Sequence, residues 1–111
     1  MQIVRGCLVV PVQVELYDNV VLQLRKDILE KVRETGAKGV IIDLSAVDVM
    51  DSFIAQTLSD TARMAALLGA KTVLSGLQAG VVAGLIDLDV EFQNVQTART
   101  LEEGFRLIAH G

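Results

Sequence analysis

At 111 residues the chain has the length of one domain. It is 51% apolar and 22% charged, which argues against disorder and supplies one core; with aromatics at only 4%, that core must be built from Val, Leu, Ile and Ala. The net charge is −4 and the Lys and Arg residues are scattered, whereas nucleic-acid binding needs concentrated positive charge.

The opening "MQIVRGCLVVPV" has no basic segment before its apolar run and no small-residue cleavage site, and Arg5 interrupts it. No apolar run reaches the ~18 residues of a spanning helix, so a soluble cytoplasmic protein is expected. A short strand can occupy Gln2 to Val4. The first clear strand is Cys7 to Val14, in which Pro11 marks an edge, a bulge or the end of the ladder. Cys7, the one cysteine, reads as a small buried residue; with His110 as the one histidine, neither a disulfide framework nor a metal site is indicated.

A helix follows from about Asp18, a possible cap, to Thr35, with Val21, Leu24, Ile28 and Val32 at helical spacing and Gly36 as its stop. "GVIIDLS" reads as a fully buried strand, Gly39 to Leu44. The second helix spans about Ser52 to Leu68, its core face marked by Ile54, Leu58, Ala62, Ala65 and Leu68, and Gly69 ends it. A strand at Lys71 to Ser75 leads to a short helix at Ala79 to Leu88, whose Gly80 and Gly84 suggest close packing against a neighbour. A weak strand near Asn94 to Thr97 precedes a last helix opened by Thr100, with Glu103 in capping-box position and Leu101, Phe105 and Leu107 or Ile108 on its apolar side. The alternation predicts a single α/β domain over residues 1–111, with a largely parallel sheet of four to five strands and about four helices.

Chemistry concentrates in "DLSAVDVMDSFIAQTLSD", Asp43 to Asp60. Asp43 ends a parallel strand, where α/β folds place functional groups, and so resembles the phosphoacceptor of response-regulator receivers. The second acidic cluster and the strand-ending lysine of that arrangement are missing, which favours a carboxylate that organises its loop. Metal binding by Asp43, Asp48 and Asp51 is weakly indicated, since the spacing matches no EF-hand and no glycine supplies the turn. Hydrolysis through Ser52 lacks a base other than His110 and lacks a G-x-S-x-G elbow, and no P-loop occurs. A small phosphatase or nucleotide hydrolase built on the aspartate loop is therefore disfavoured, and a non-enzymatic protein is expected.

Ser52 itself reads two ways. Either Ser52 or Asp51 can cap the second helix. Ser52 is also a physically sensible phosphate acceptor, because a helix N-terminus offers free N–H groups and the positive end of the dipole. A second stripe, Phe53, Thr57, Asp60, Met64 and Leu67, lies about 110° around the helix from the core stripe, forming either a wide core face or a partner surface.

The segments "VIIDLSAVDVMDS" and "LGAKTVLSGLQAGVVAGLIDL" resemble, in order and over nearly the whole chain, the STAS domain of anti-sigma-factor antagonists. In that family the serine or threonine after the aspartate is phosphorylated by a partner kinase, which places the modification on Ser52. Many simple antagonists continue with "SSGLG", whereas this chain has "SFIAQ". Together with "ETGAKGVIIDL" and "GAKTVLSGLQ", that departure resembles the small scaffold subunit of the stressosome, the RsbS type. The resemblance implies a bare STAS domain that forms homo- and hetero-oligomers with larger STAS paralogues bearing N-terminal sensor domains. It implies a serine switch kinase that binds, phosphorylates and leaves, and a phosphatase that resets the serine. The candidate partner-binding residues are Asp48, Asp51, Phe53, Gln56 and Met64, with no cofactor, nucleic acid or membrane involved. The alternative is a stand-alone antagonist binding an anti-sigma kinase directly.

Overall fold

The computed structural model describes residues 1–13, 15–87 and 95–110. In chain order the elements are β1 (Gln2–Val4), β2 (Cys7–Pro11), α1 (Asp18–Thr35), β3 (Gly39–Asp43), α2 (Ser52–Leu67), β4 (Lys71–Ser75), α3 (Ala79–Asp87), β5 (Val95–Ala98) and α4 (Leu101–His110). The strands form one sheet in the order β1-β2-β3-β4-β5, with β1 antiparallel and the remainder parallel. This is the expected α/β architecture.

The two-residue turn between β1 and β2 places both Arg5 (φ 53°) and Gly6 (φ 77°) in the left-handed region, the geometry that matches the twist of a tight hairpin. The pairing of β1 with β2 reaches only to Val9. Val12 N–H donates to Asp43 O at 3.0 Å, so the Pro11 nitrogen, one residue earlier, faces away from β3, past the end of β1. Proline's missing donor therefore leaves no ladder bond unmade, and the strand stops there, short of the expected Val14, which lies outside the described residues.

The sheet is covered on both faces, which explains the unbroken apolar run of β3. Leu8, Val10, Val40, Ile42 and Leu74 face α1, α2 and α3, where they meet Ile28, Val32, Ile54, Leu58, Val81 and Leu85. Cys7, Val9, Ile41 and Val73 face α4, where they meet Phe105 and Ile108. Burial pushes the Cys7 pKa up, which keeps the thiol protonated and packed as an apolar group. At Gly39 an added Cβ would stand 2.5 Å from the Ile108 side chain, so only glycine lets α4 lie this close.

Several expected details are corrected. Tyr17, not Asp18, holds the cap position of α1 and makes no side-chain cap bond; Asp18 is the first helical residue, where its charge suits the helix dipole. Gly36 (φ 66°) stops that helix as expected, its N–H bonding Val32 O. Leu44 follows β3 rather than ending it. α2 closes at Leu67, which turns Leu68 outward and leaves it 47% exposed instead of in the core. Gly80 and Gly84 have open space where a Cβ would stand, so no close packing explains them. Leu101 is exposed while Phe105 and Ile108 carry the α4 contact. The expected ends at Leu88 and Asn94 lie outside the described residues.

Candidate functional site

The loop between β3 and α2 is built by local hydrogen bonds. Asp43 Oδ1 accepts from Ser45 N–H at 3.0 Å, the loop-organising role anticipated for it. Val47 N–H donates to Leu44 O, and Leu44 N–H to Ser75 O, at 3.0 and 2.9 Å. The Gln78 side-chain amide donates to Ser45 O at 2.9 Å and ties the next connection to it. Buried Leu44, Val47 and Met50 anchor the loop from below. With those three turned inward, Asp48, Val49 and Asp51 are presented outward.

Asp51, in extended conformation, caps α2: its Oδ1 accepts from Ile54 N–H at 2.8 Å. Ser52 is therefore not the cap. It is the first helical residue and is exposed. The N–H groups of Ser52 and Phe53 belong to the first turn, which has no intrahelical acceptors to offer them. Ser59 and Ser75, by contrast, are only 5% and 2% exposed. Of the serines in the aspartate loop and its helix, Ser45 and Ser52 face solvent.

The second stripe of α2 is divided. Phe53, Asp60 and Met64 are half-buried and Leu67 is exposed, but Thr57 is buried with its hydroxyl donating to Phe53 O at 2.8 Å. Gln56 is exposed one turn beyond Ser52 and donates from Nε2 to Asp60 Oδ1 at 3.3 Å; Arg63 meets the same oxygen at 3.0 Å. The face leading away from Ser52 is thus a polar line bordered by the partly covered Phe53 and Met64.

Beside this helix start lies an open groove of about 520 Å³ between the β2–α1 and β3–α2 connections. Gln13, Glu15 and Tyr17 form one wall, and Asp48, Val49 and Asp51 the other. Among the described residues, three carboxylates and no Lys or Arg line it. The Tyr17 hydroxyl donates to the Glu15 carboxylate, whose hydrogen bond and negative charge raise the phenol's pKa. Glu15 and Tyr17 were not anticipated here, because nothing local marks a loop as the far wall of a groove built mainly by another loop.

Among the described residues, no group of three or more His, Cys, Asp or Glu side chains is placed to hold a metal ion, so Asp43, Asp48 and Asp51 are not brought together for one. His110 lies at the end of α4, with Arg5, Lys38 and Arg106 around a small cavity of about 150 Å³. Ile108 covers Gly39, at the amino end of β3, whereas Ser52 follows that strand's carboxyl end. His110 is therefore at the pole away from Ser52 and gives it no base. No helix among the described residues is long and apolar enough to cross a membrane.

The parallel sheet, the structured aspartate loop and the helix opening at an exposed serine define a domain class that comparison with known proteins identifies. The STAS domain family matches residues 1–104, and the chain belongs to that family. Among solved structures it is similar to Moorella thermoacetica RsbS carrying a serine-to-glutamate substitution, with a TM-score of 0.81 and 29% identity over 96% of this chain and 90% of that one. It is also similar to a chain of the stressosome, a signal integration and transduction hub, with a TM-score of 0.78 and 28% identity over 97% of this chain and 94% of that one. The RsbT co-antagonist protein RsbRA of Bacillus subtilis is 25% identical over 84 residues, 76% of this chain, and the match spans 31% of that relative's length. The resemblance to anti-sigma antagonists and stressosome subunits thus holds.

Proposed function

We propose that residues 1–111 act as one STAS domain serving as a non-enzymatic, phosphorylatable scaffold of a stressosome-type complex in the cytoplasm. The scaffold holds a serine switch kinase and releases it when that kinase phosphorylates Ser52; a phosphatase restores the unmodified state. A larger STAS paralogue with an N-terminal sensor domain is the proposed co-scaffold, a reading supported by the similarity to RsbRA. The observation that carries the proposal is the division of labour at the start of α2: Asp51 caps the helix and Ser52 stands exposed beside it, free of that duty.

The physical consequence follows from charge. Unmodified Ser52 is a small neutral group. Phosphorylation adds roughly −1.5 to −2 charge beside Asp48, Asp51 and the carboxylate-lined groove. A partner packed on Asp48, Asp51, Phe53, Gln56 and Met64 must then desolvate a dianion or withdraw, and withdrawal costs less unless it brings an Arg. The helix itself tolerates the phosphate, whose charge suits its N-terminal dipole.

Three measurements test this. Kinase treatment followed by peptide mass spectrometry should find the phosphate on Ser52; phosphate on Ser59 or Ser75, or on Ser45 alone, would contradict the assignment. Mixing with the paralogue should produce a very large assembly, whereas a small complex with an anti-sigma kinase would point to a stand-alone antagonist. The purified chain should show background phosphatase and nucleotide hydrolysis, and turnover abolished by Asp43→Ala would contradict the non-enzymatic reading.

A further inference from the structure

The loop that leads into Ser52 is held in two different ways. Leu44, Val47 and Met50 are fixed by burial, but Ser45 and Ala46, between the first two of them, are exposed. Polar groups hold the Ser45 backbone instead. Its N–H donates to Asp43 Oδ1 at 3.0 Å, and its carbonyl oxygen accepts from the Gln78 amide at 2.9 Å. Among the described residues, Gln78 is the one side chain from outside β3, this loop and α2 that hydrogen-bonds the loop backbone.

The connection that carries Gln78 is shaped to reach the loop. Gly76 has φ 71°, and its N–H donates to Ala98 O at 3.0 Å, which fixes it over the end of β5. A Cβ at Gly76 would stand 2.9 Å from Ser45 Cβ and 3.2 Å from Asp43 Oδ1, so both its φ and its surroundings call for glycine. Two residues later, Val82 N–H donates to Gln78 O at 3.0 Å and anchors the Gln78 backbone to α3. Gln78 directly precedes α3, a place where Ser, Thr, Asp or Asn would cap the helix best. Glutamine has no such preference, and its side chain is turned to the neighbouring loop.

We propose that Gln78 is a positioning residue for the phosphorylation of Ser52: anchored to α3, its amide braces the Ser45 carbonyl and thereby sets where the loop delivers the start of α2. This inference rests on the reading of Ser52 as the phosphate acceptor. Val47 and Met50, buried on the way to Asp51, carry the placement of Ser45 forward to the helix start. Phosphoryl transfer is sensitive to placement, a misplacement of about 1 Å costing on the order of a hundredfold in rate. The brace lies away from the partner face of Phe53, Gln56 and Met64, so it acts on the transfer step rather than on kinase binding.

Two variants separate the donor from the bulk of the side chain. Gln78→Glu keeps the length and places a carboxylate, which cannot donate, against the Ser45 carbonyl. Gln78→Arg restores a donor with sufficient reach. Gln78 is exposed, so thermal melts of both should match the parent chain. In steady-state phosphorylation by the kinase, Gln78→Glu should lower kcat at least about fivefold while KM stays within about twofold, and Gln78→Arg should recover most of that loss. Deuterium uptake at residues 45–49 should rise in Gln78→Glu and return towards the parent level in Gln78→Arg. A parent kcat in Gln78→Glu, a loss carried by KM alone, or an equal loss in both variants would overturn the inference while leaving Ser52 as the acceptor. A parent chain that takes no phosphate on Ser52 would overturn the acceptor reading, and this inference with it.

Discussion

Helices α2 and α4 both have a hydroxyl residue within one position of their first turn, and they use it differently. At α4, Thr100 Oγ1 accepts from Glu103 N–H at 3.2 Å, so the hydroxyl is itself the cap. At α2 the carboxylate of Asp51 accepts from Ile54 N–H at 2.8 Å, and Ser52 stands one residue further on with no capping duty. A carboxylate makes the stronger, charge-assisted bond and is favoured by the positive end of the helix. The lesson is that a hydroxyl relieved of capping can be modified without undoing the helix start, whereas modifying Thr100 would consume the oxygen that holds α4.

The contrast breaks most severely at Asp51. Asp51→Ala removes both the cap and its charge and should cost about 1–2 kcal/mol in a denaturant titration. It also leaves Ser52 as the nearest replacement cap, so phosphorylation of Ser52 should slow. An unchanged phosphorylation rate would show that the freedom of the hydroxyl does not depend on Asp51. Thr100→Ala should cost about 1 kcal/mol or less, its bond being the longer of the two, and should leave Ser52 phosphorylation at the parent rate. Ser52→Ala should change stability by less than about 0.5 kcal/mol, as expected of an exposed residue with no cap bond, while abolishing phosphate on α2. A loss near 1 kcal/mol would place Ser52 back in the capping role. Ser52→Asp should reproduce the released state only in part, since one carboxylate carries less charge and fewer acceptor oxygens than a phosphate.

Local patterns made much of this domain legible in the sequence. Gly36 and the spacing of Val21, Ile28 and Val32 located α1, and the continuous apolar run of β3 announced a strand covered on both faces. The choice between Asp51 and Ser52 as cap was not legible, because both residue types suit the position and a shift of one residue decides it. Periodicity also misplaced Leu68, which lies past the last helical residue, and it left open whether the second stripe of α2 is core or surface, a stripe in which Thr57 is buried and Leu67 exposed. The groove wall formed by Glu15 and Tyr17 needed the chain to close on itself, since the loops that meet there are separated by α1 and β3.

The central claim, that phosphate on an otherwise idle Ser52 loosens the partner, is tested most directly by measuring kinase affinity for the chain before and after stoichiometric Ser52 phosphorylation. Calorimetry with a catalytically inactive kinase keeps the two states from interconverting. The phosphorylated chain should bind at least about tenfold more weakly, a difference of about 1.4 kcal/mol, with its helical signal intact. Equal affinity in both states, or tighter binding after phosphorylation, would contradict the account.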